Sequence, residues 1–178
     1  MAKTLISTHT ASASATLDIT SGIDSTYPVY EFHFASMHPA TNSVNFHFQV
    51  NATGQTGFNE TITSSFFRAY HSESGSAAAL YYDTAQDQAQ GTGYQSLFHE
   101  VGNGADESMS GVLTLYDPSS TTYVKHFTSR TSGYYAADFA QDTYPAGYIN
   151  TTSAIDEISF KFASGNIDDG VIKMFGVS

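Results

Sequence analysis

The chain has 178 residues, 40% of them hydrophobic and 14% aromatic, which is enough for one packed core and favours a single domain. Its formal net charge is -11, from six Lys and Arg against seventeen Asp and Glu, and a field of this sign repels phosphate backbones and argues against nucleic-acid binding. Cysteine is absent, which excludes disulfide bonds and thiolate metal sites.

The first segment of the chain, residues 1–15, is small and polar, and it predicts an extended N-terminal arm ahead of a folded domain at 16–178. The arm is expected either to be flexible or to lie as an extended strand on a neighbour. Residues 16–20 alternate between apolar and polar and predict a short first strand. The start of the chain does not read as a secretory signal, and no apolar run approaches the roughly 20 residues of a membrane helix. Synthesis in the cytoplasm and no membrane partner are therefore expected.

Two aromatic segments alternate most clearly, at 30–34 and 44–50. Because successive side chains of a strand point to opposite faces, the two-residue alternation predicts one buried and one solvent-exposed face for each segment. Residues 38–43 between them are rich in turn-forming types. The pattern predicts two strands paired with each other in antiparallel fashion.

The middle of the chain is less regular. Strands are predicted at 61–71, 77–83 and 94–99, where apolar and aromatic residues recur between Gly- and Ser-containing breaks. Residues 83–90 could form a turn or two of helix, but they offer little apolar face.

A β-hairpin is predicted at 109–128. Its turn at 117–120 reads Asp-Pro-Ser-Ser, in which Asp bonds to its own backbone and Pro presets the following φ. The next stretch, 131–148, is rich in Tyr and contains Pro and Gly, and it is expected to be irregular.

The last part of the chain again alternates. Strands are predicted at 155–162 and 171–177 around a turn at 163–170, with the final strand held in a sheet beside the first one. The whole pattern gives about eight to ten short strands at regular spacing, which is typical of an all-β, antiparallel sandwich of jelly-roll type.

The histidines do not form a recognisable metal motif. Segment 99–103 begins like a zinc-protease helix, but Asn103 stands where the second His is needed. His33 and His47 lie on the polar sides of the two aromatic strands and could face each other, yet no third ligand is identifiable. Exposed strand histidines are the favoured interpretation.

Hard-cation sites need clustered oxygen ligands on loops, and none of the acidic pairs has the spacing of a calcium-binding hand. We therefore interpret them as solvated turns and predict no metal and no cofactor. The pairs are Asp168 with Asp169, Asp106 with Glu107, and Asp83 with Asp87.

Catalytic motifs are equally absent from the sequence. There is no Gly-x-Ser-x-Gly elbow and no Cys nucleophile, and Gly102-Asn103-Gly104 is too short for a phosphate-binding loop. The carboxylates follow no rule that would pair them as in a glycosidase. The sequence therefore predicts a protein that is not an enzyme and has no catalytic residues.

Tyrosines stand out in and beside the irregular segments. Tyr buries a large area while keeping a polar tip, so it is common in protein interfaces. Ordinary packing and a platform for sugar rings are the alternatives, and the absence of Trp argues against a dedicated glycan binder. The candidate interface residues are Tyr81, Tyr82, Tyr134, Tyr135, Tyr144 and Tyr148.

Five pieces of the chain, in order and over nearly its whole length, carry a family resemblance. They are TSGIDSTY at 20–27, HPAT at 38–41, DPSSTT at 117–122, VKHF at 124–127 and ASGNI at 163–167. With them the chain resembles small virion-associated structural proteins of tailed bacteriophages, particularly marine ones. The resemblance implies a protein of the particle surface or of an appendage, and it carries no functional residues across.

These observations together predict a non-enzymatic virion structural protein, a decoration or cement subunit that stabilises the capsid through protein–protein contacts. Its expected partners are other virion proteins, above all the major capsid protein, and further copies of itself, with a trimer as the first expectation because closed oligomers cover sheet edges. The alternative is a receptor- or glycan-binding module of a phage fibre or spike. Tyrosines buried between subunits would favour the first, and a solvent-facing aromatic patch the second.

Overall fold

The structure is a computed structural model and describes residues 2–178. It is all-β and antiparallel, with 61% of residues in strands and no helix in that range, so none of residues 2–178 lies in a helix able to cross a membrane. The strands are β1 (Lys3–Ser14), β2 (Leu17–Ile19), β3 (Val29–Pro39), β4 (Val44–Ala52), β5 (Ile62–Ser72), β6 (Ala78–Tyr82), β7 (Gln95–Val101), β8 (Met109–Tyr116), β9 (Lys125–Tyr135), β10 (Phe139–Ile149), β11 (Ile155–Phe162) and β12 (Ile167–Val177).

One continuous path of strands curls almost into a barrel. Its order is β1-β12-β3-β8-β9-β7-β4-β11-β2, and β1 and β2 at its two ends approach each other. The link between β9 and β7 is a single residue pair, Val101 with Tyr135. A branch leaves the path at β9, which also pairs with β10, and continues through β5 to β6. We call the four strands β9, β10, β5 and β6 the extension sheet.

The core lies inside the near-barrel and is filled by aromatic rings from opposite walls. Phe32 and Phe34 on β3 meet Phe160 on β11 at centroid distances of 5.6 and 5.3 Å, and Phe34 meets Phe46 on β4 at 5.3 Å. All four rings are buried. The alternation in β3 and β4 therefore does what its period predicts, since every second side chain enters this core.

The predicted pairing of the two aromatic strands is wrong. β3 pairs with β12 and β8, whereas β4 pairs with β11 and β7. β3 and β4 lie on opposite walls instead, so that the apolar faces of both strands enter one core and Phe34 meets Phe46 across it. Segment 38–43 therefore carries the chain from one wall to the other.

The hairpin prediction at 109–128 is confirmed, because β8 pairs with β9 in register from Met109↔Gly133 to Leu115↔Phe127. The backbone N–H of Ser120 donates to the carbonyl of Asp117 at 3.1 Å and closes a turn between the strands. The strands predicted near the C-terminus are also present, as β11 and β12, but β12 begins at Ile167, so part of the turn predicted at 163–170 is strand.

Segment 131–148, expected to be irregular, is instead the end of β9 and most of β10. Pro145 has no N–H to donate. On one side of β10 it is opposite Phe66 of β5, and on the other side neither Tyr144 nor Pro145 has a partner residue in β9. The missing donor therefore falls in a gap of the ladder, where a strand tolerates proline.

Apart from Met1, which lies outside the described residues, the predicted N-terminal arm forms β1, a strand of the same sheet, and pairs with β12 from Lys3↔Val177 to Ser14↔Ile167. The C-terminal strand accordingly lies between β1 and β3, and not beside the strand predicted at 16–20. That strand is β2, which pairs with β11.

Candidate interaction site

The extension sheet carries aromatic side chains on both of its faces. Alternation along β5, β6 and β10 sends Arg68, Tyr81 and Gln141 to one face, the inner face, and Phe67, Tyr82 and Tyr144 to the other, the outer face. Residues directly opposite each other in neighbouring strands share a face, and Phe67 is directly opposite both Tyr82 and Tyr144, so all three lie on the outer face.

Three rings cross the outer face as one row, Tyr82–Phe67–Tyr144, which we call the aromatic row. Phe67 and Tyr144 stack at 4.9 Å with an angle of 9° between their planes. Phe67 is 41% exposed and Tyr82 49%, and Leu80 beside them on β6 is 69% exposed. A contiguous apolar patch of this kind on a soluble surface marks an interaction site more often than isolated exposed residues do.

Polar groups border the aromatic row at both ends. The Tyr144 hydroxyl donates to Asp142 at 2.6 Å, and Arg130 pairs with the same carboxylate at 2.7 Å and lies over the Tyr144 ring. At the other end, the Tyr82 hydroxyl donates to Asp87 at 2.5 Å. These hydrogen bonds raise the pKa of Tyr144 and of Tyr82 above the usual value of 10, because each carboxylate holds the phenolic proton. An apolar centre with a polar rim is the arrangement found in protein interfaces.

Strand β6 adds an open edge to this patch. It pairs only with β5, so the backbone N–H and C=O groups along its other edge have no strand partner in residues 2–178. Four of its five residues are exposed. Exposed edges of apolar strands are places where another chain can add to a sheet.

The inner face places two of the candidate tyrosines around one arginine. The guanidinium carbon of Arg68 lies 4.9 Å from the ring centroid of Tyr81 and 5.8 Å from that of Tyr135. Arg68 itself is only 9% exposed. Sequence reasoning named the two tyrosines but not the arginine, because nothing in segment 61–71 indicates that its one cation is buried.

The six candidate tyrosines therefore do not form one site. Tyr82 and Tyr144 share the aromatic row, and Tyr81 and Tyr135 flank Arg68. The remaining two stand apart on the extension sheet: Tyr134 donates to Asp138 at 2.9 Å, which raises its pKa, and Tyr148 lies beside His126.

Phe67 and Leu80 belong to the patch and were not among the candidates. A signal for Phe67 was present in the sequence. Because Phe66 and Phe67 are adjacent in a strand, they must point to opposite faces, and only one can enter a core. Phe66 is fully buried, and Phe67 is the one left outside.

The other groups that the sequence singled out are separate from the aromatic row. His33 and His47 do not face each other, since β3 and β4 are not neighbours. His33 pairs with Glu31 at 2.7 Å, whereas His47 is opposite Lys161 on β11. The acidic pairs 106–107 and 168–169 line one cavity together with His38. Nowhere in residues 2–178 do three His, Asp or Glu side chains converge as metal ligands would.

Comparisons of the chain with known protein families, curated proteins and solved structures find no match.

Proposed function

We propose that this protein is a non-enzymatic structural subunit of a tailed-phage virion, which decorates the capsid and stabilises it through protein–protein contacts. The observation that carries the proposal is the aromatic row beside the open edge of β6. Phe67, Tyr82 and Leu80 expose large apolar surface that association with a neighbour would remove from water. The particle itself is proposed from the family resemblance of the five sequence pieces.

Within the all-β antiparallel class, we propose that the fold is a jelly-roll sandwich. Two groups of four strands support it, β1-β12-β3-β8 and β7-β4-β11-β2. The chain passes from one group to the other between β1 and β2, β2 and β3, β3 and β4, β7 and β8, and β11 and β12. Alternation of this kind between two packed sheets is what a jelly roll requires. The extension sheet would then be an addition at one end.

Association of several copies, with a trimer as the first expectation, is part of the proposal. Replacing Phe67 and Tyr82 together by Ser removes two of the three rings of the aromatic row while leaving the core rings in place. The wild-type protein should sediment as an oligomer, and F67S/Y82S should sediment as a monomer with an unchanged circular dichroism spectrum. Analytical ultracentrifugation over a range of concentrations measures both.

The control is the double variant Leu5→Ser and Tyr123→Ser, which removes one aliphatic and one aromatic side chain, 51% and 70% exposed, that are not part of the aromatic row. It should keep the wild-type oligomer. An equal loss of association in both double variants, or no loss in either, would remove the aromatic row from the contact.

Imaging intact virions by cryo-electron microscopy tests the location. Many copies on the shell lattice, with β6 at a boundary between subunits, are the expected result. A few copies at a tail or fibre tip would instead replace the decoration role with receptor recognition.

A further inference from the structure

The inner face of the extension sheet encloses a small pocket that the proposed subunit contacts do not use. It has a volume of about 190 Å³. Strands β5, β9 and β10 supply its polar and aromatic lining, and Ala77 and Ala137 from the two adjoining turns complete it. The remaining lining residues are Arg68, Tyr70, Tyr135, Phe139 and Gln141.

Its aromatic walls hold one another in place. The Phe139 ring meets Tyr70 and Tyr135 edge-on, at 5.4 Å in both cases and at angles of 81° and 77°. Perpendicular contacts of this kind are favourable for aromatic pairs. The three rings therefore form apolar walls whose orientation is set before any ligand arrives, which lowers the ordering cost of binding.

Arg68 provides the polar part of the pocket. Its Nη1 donates to Oε1 of Gln141 at 2.6 Å, and its Nη2 donates to the Tyr81 hydroxyl. Each of these terminal nitrogens carries two N–H groups, so each keeps one donor without a protein acceptor in residues 2–178. These donors belong to a side chain that is only 9% exposed and lines the pocket, so a ligand oxygen in the pocket would accept from them.

The charge of Arg68 is already balanced. Its Nε lies 3.0 Å from a carboxylate oxygen of Asp83, and both side chains are about one-tenth exposed. Glu100 lies beside His99, 3.5 Å away, and burial lowers the pKa of His99, which favours its neutral form. The surroundings of the pocket thus carry no excess positive charge, and a protein of net charge -11 does not attract an anion.

We propose that this pocket binds a single neutral sugar residue. Apolar walls suit the C–H face of a sugar ring, and the two open N–H groups of Arg68 suit its hydroxyl or ring oxygens, which are acceptors without charge. The volume is below the range of about 300–1,000 Å³ typical of sites for drug-sized ligands, which limits the ligand to about one ring. The proposal does not rest on the virion role, because its residues lie on the opposite face from the aromatic row.

Saturation-transfer NMR on the full chain tests the proposal with the methyl glycosides of glucose, galactose, mannose and N-acetylglucosamine as probes, and with glucuronate and N-acetylneuraminate as acidic probes. At least one neutral probe should receive saturation on its ring C–H protons, and the acidic probes should receive less.

Ala137→Leu fills the mouth of the pocket from an exposed turn and should abolish the transfer. Ala163→Leu, an identical change in the exposed turn between β11 and β12, should leave it unchanged. A second variant, Tyr70→Leu, removes one wall without adding bulk and should weaken the transfer severalfold. The proposal is overturned if no neutral probe receives saturation, if acidic sugars are preferred, or if Ala137→Leu behaves like Ala163→Leu.

Discussion

His47 shows how the fold controls the protonation of one side chain. Burial, and secondarily the charge of Lys161 opposite it, lowers the pKa of His47 from 6.5 to about 4. Between these values the unfolded chain binds a proton that the folded chain does not. Stability from this residue is therefore fully present above pH 6.5 and is lost as the pH falls towards 4, by at most about 3 kcal/mol.

We expect His47→Gln to flatten the fall in stability between pH 6.5 and 4. The measurement is the free energy of urea unfolding at half-unit steps of pH. His71→Gln serves as the control, because His71 is exposed on β5, and it should retain the wild-type slope. If His47→Gln and the wild type lose stability in parallel, His47 is not the group that titrates.

Residue-scale prediction from the sequence was only partly possible. The side of the sheet that each residue faces follows from alternation, as for Phe66 inside and Phe67 outside. Alternation does not tell whether a polar residue is buried, because burial depends on which other part of the chain packs over that residue. Arg68 is buried because two distant segments meet it: one carries Tyr81 and Asp83, and the other carries Gln141.

At the scale of elements, β1 shows that an edge strand can be held in a sheet with very little buried apolar surface. Of its twelve residues only Ala11 is buried, at 2% exposure, and Ile6 packs against the core while partly exposed. The backbone ladder to β12 adds to this small apolar contact. Its composition of small polar residues therefore suggested an arm, and the partner strand lies more than 150 residues away in the chain.

Ala11→Asp should detach β1 from the sheet. A carboxylate cannot enter the core without a large desolvation cost, and release of the strand limits the loss of stability to about 1–3 kcal/mol. Hydrogen exchange should then show unprotected amides in β1 and a more exposed β12 edge. The control is Thr10→Asp, which adds the same charge at an exposed neighbouring position. Equal exchange in the two variants would contradict this account of β1.

At the scale of the whole molecule, charge is the least balanced property. Seventeen carboxylates face six Lys and Arg in the sequence, and of the Lys and Arg side chains in residues 2–178 only Lys3, Arg68 and Arg130 form ion pairs with Asp or Glu. Most carboxylates therefore repel one another across the surface, which destabilises the compact state.

Added sodium chloride should consequently stabilise the protein. Raising its concentration from about 0.01 M to about 1 M shortens the screening length from about 30 Å to about 3 Å. We expect Tm, measured by calorimetry at pH 7, to rise by about 2–4 °C, which corresponds to about 1 kcal/mol for a chain of this size. A fall in Tm would mean that ion pairs stabilise the fold more than repulsion weakens it.

The sequence by itself determined the all-β class, the positions of most strands, the hairpin of β8 and β9 and the acidic surface. These properties depend on alternation, turn chemistry and composition, which act over a few residues or over the chain as a sum. Only the tertiary structure decided that β3 and β4 lie on opposite walls, that β1 joins the sheet, and that the candidate tyrosines separate into two in the aromatic row, two beside Arg68 and two apart from both. Strand pairing is a choice among distant partners whose local patterns are nearly alike, and it is made by how the buried rings pack together.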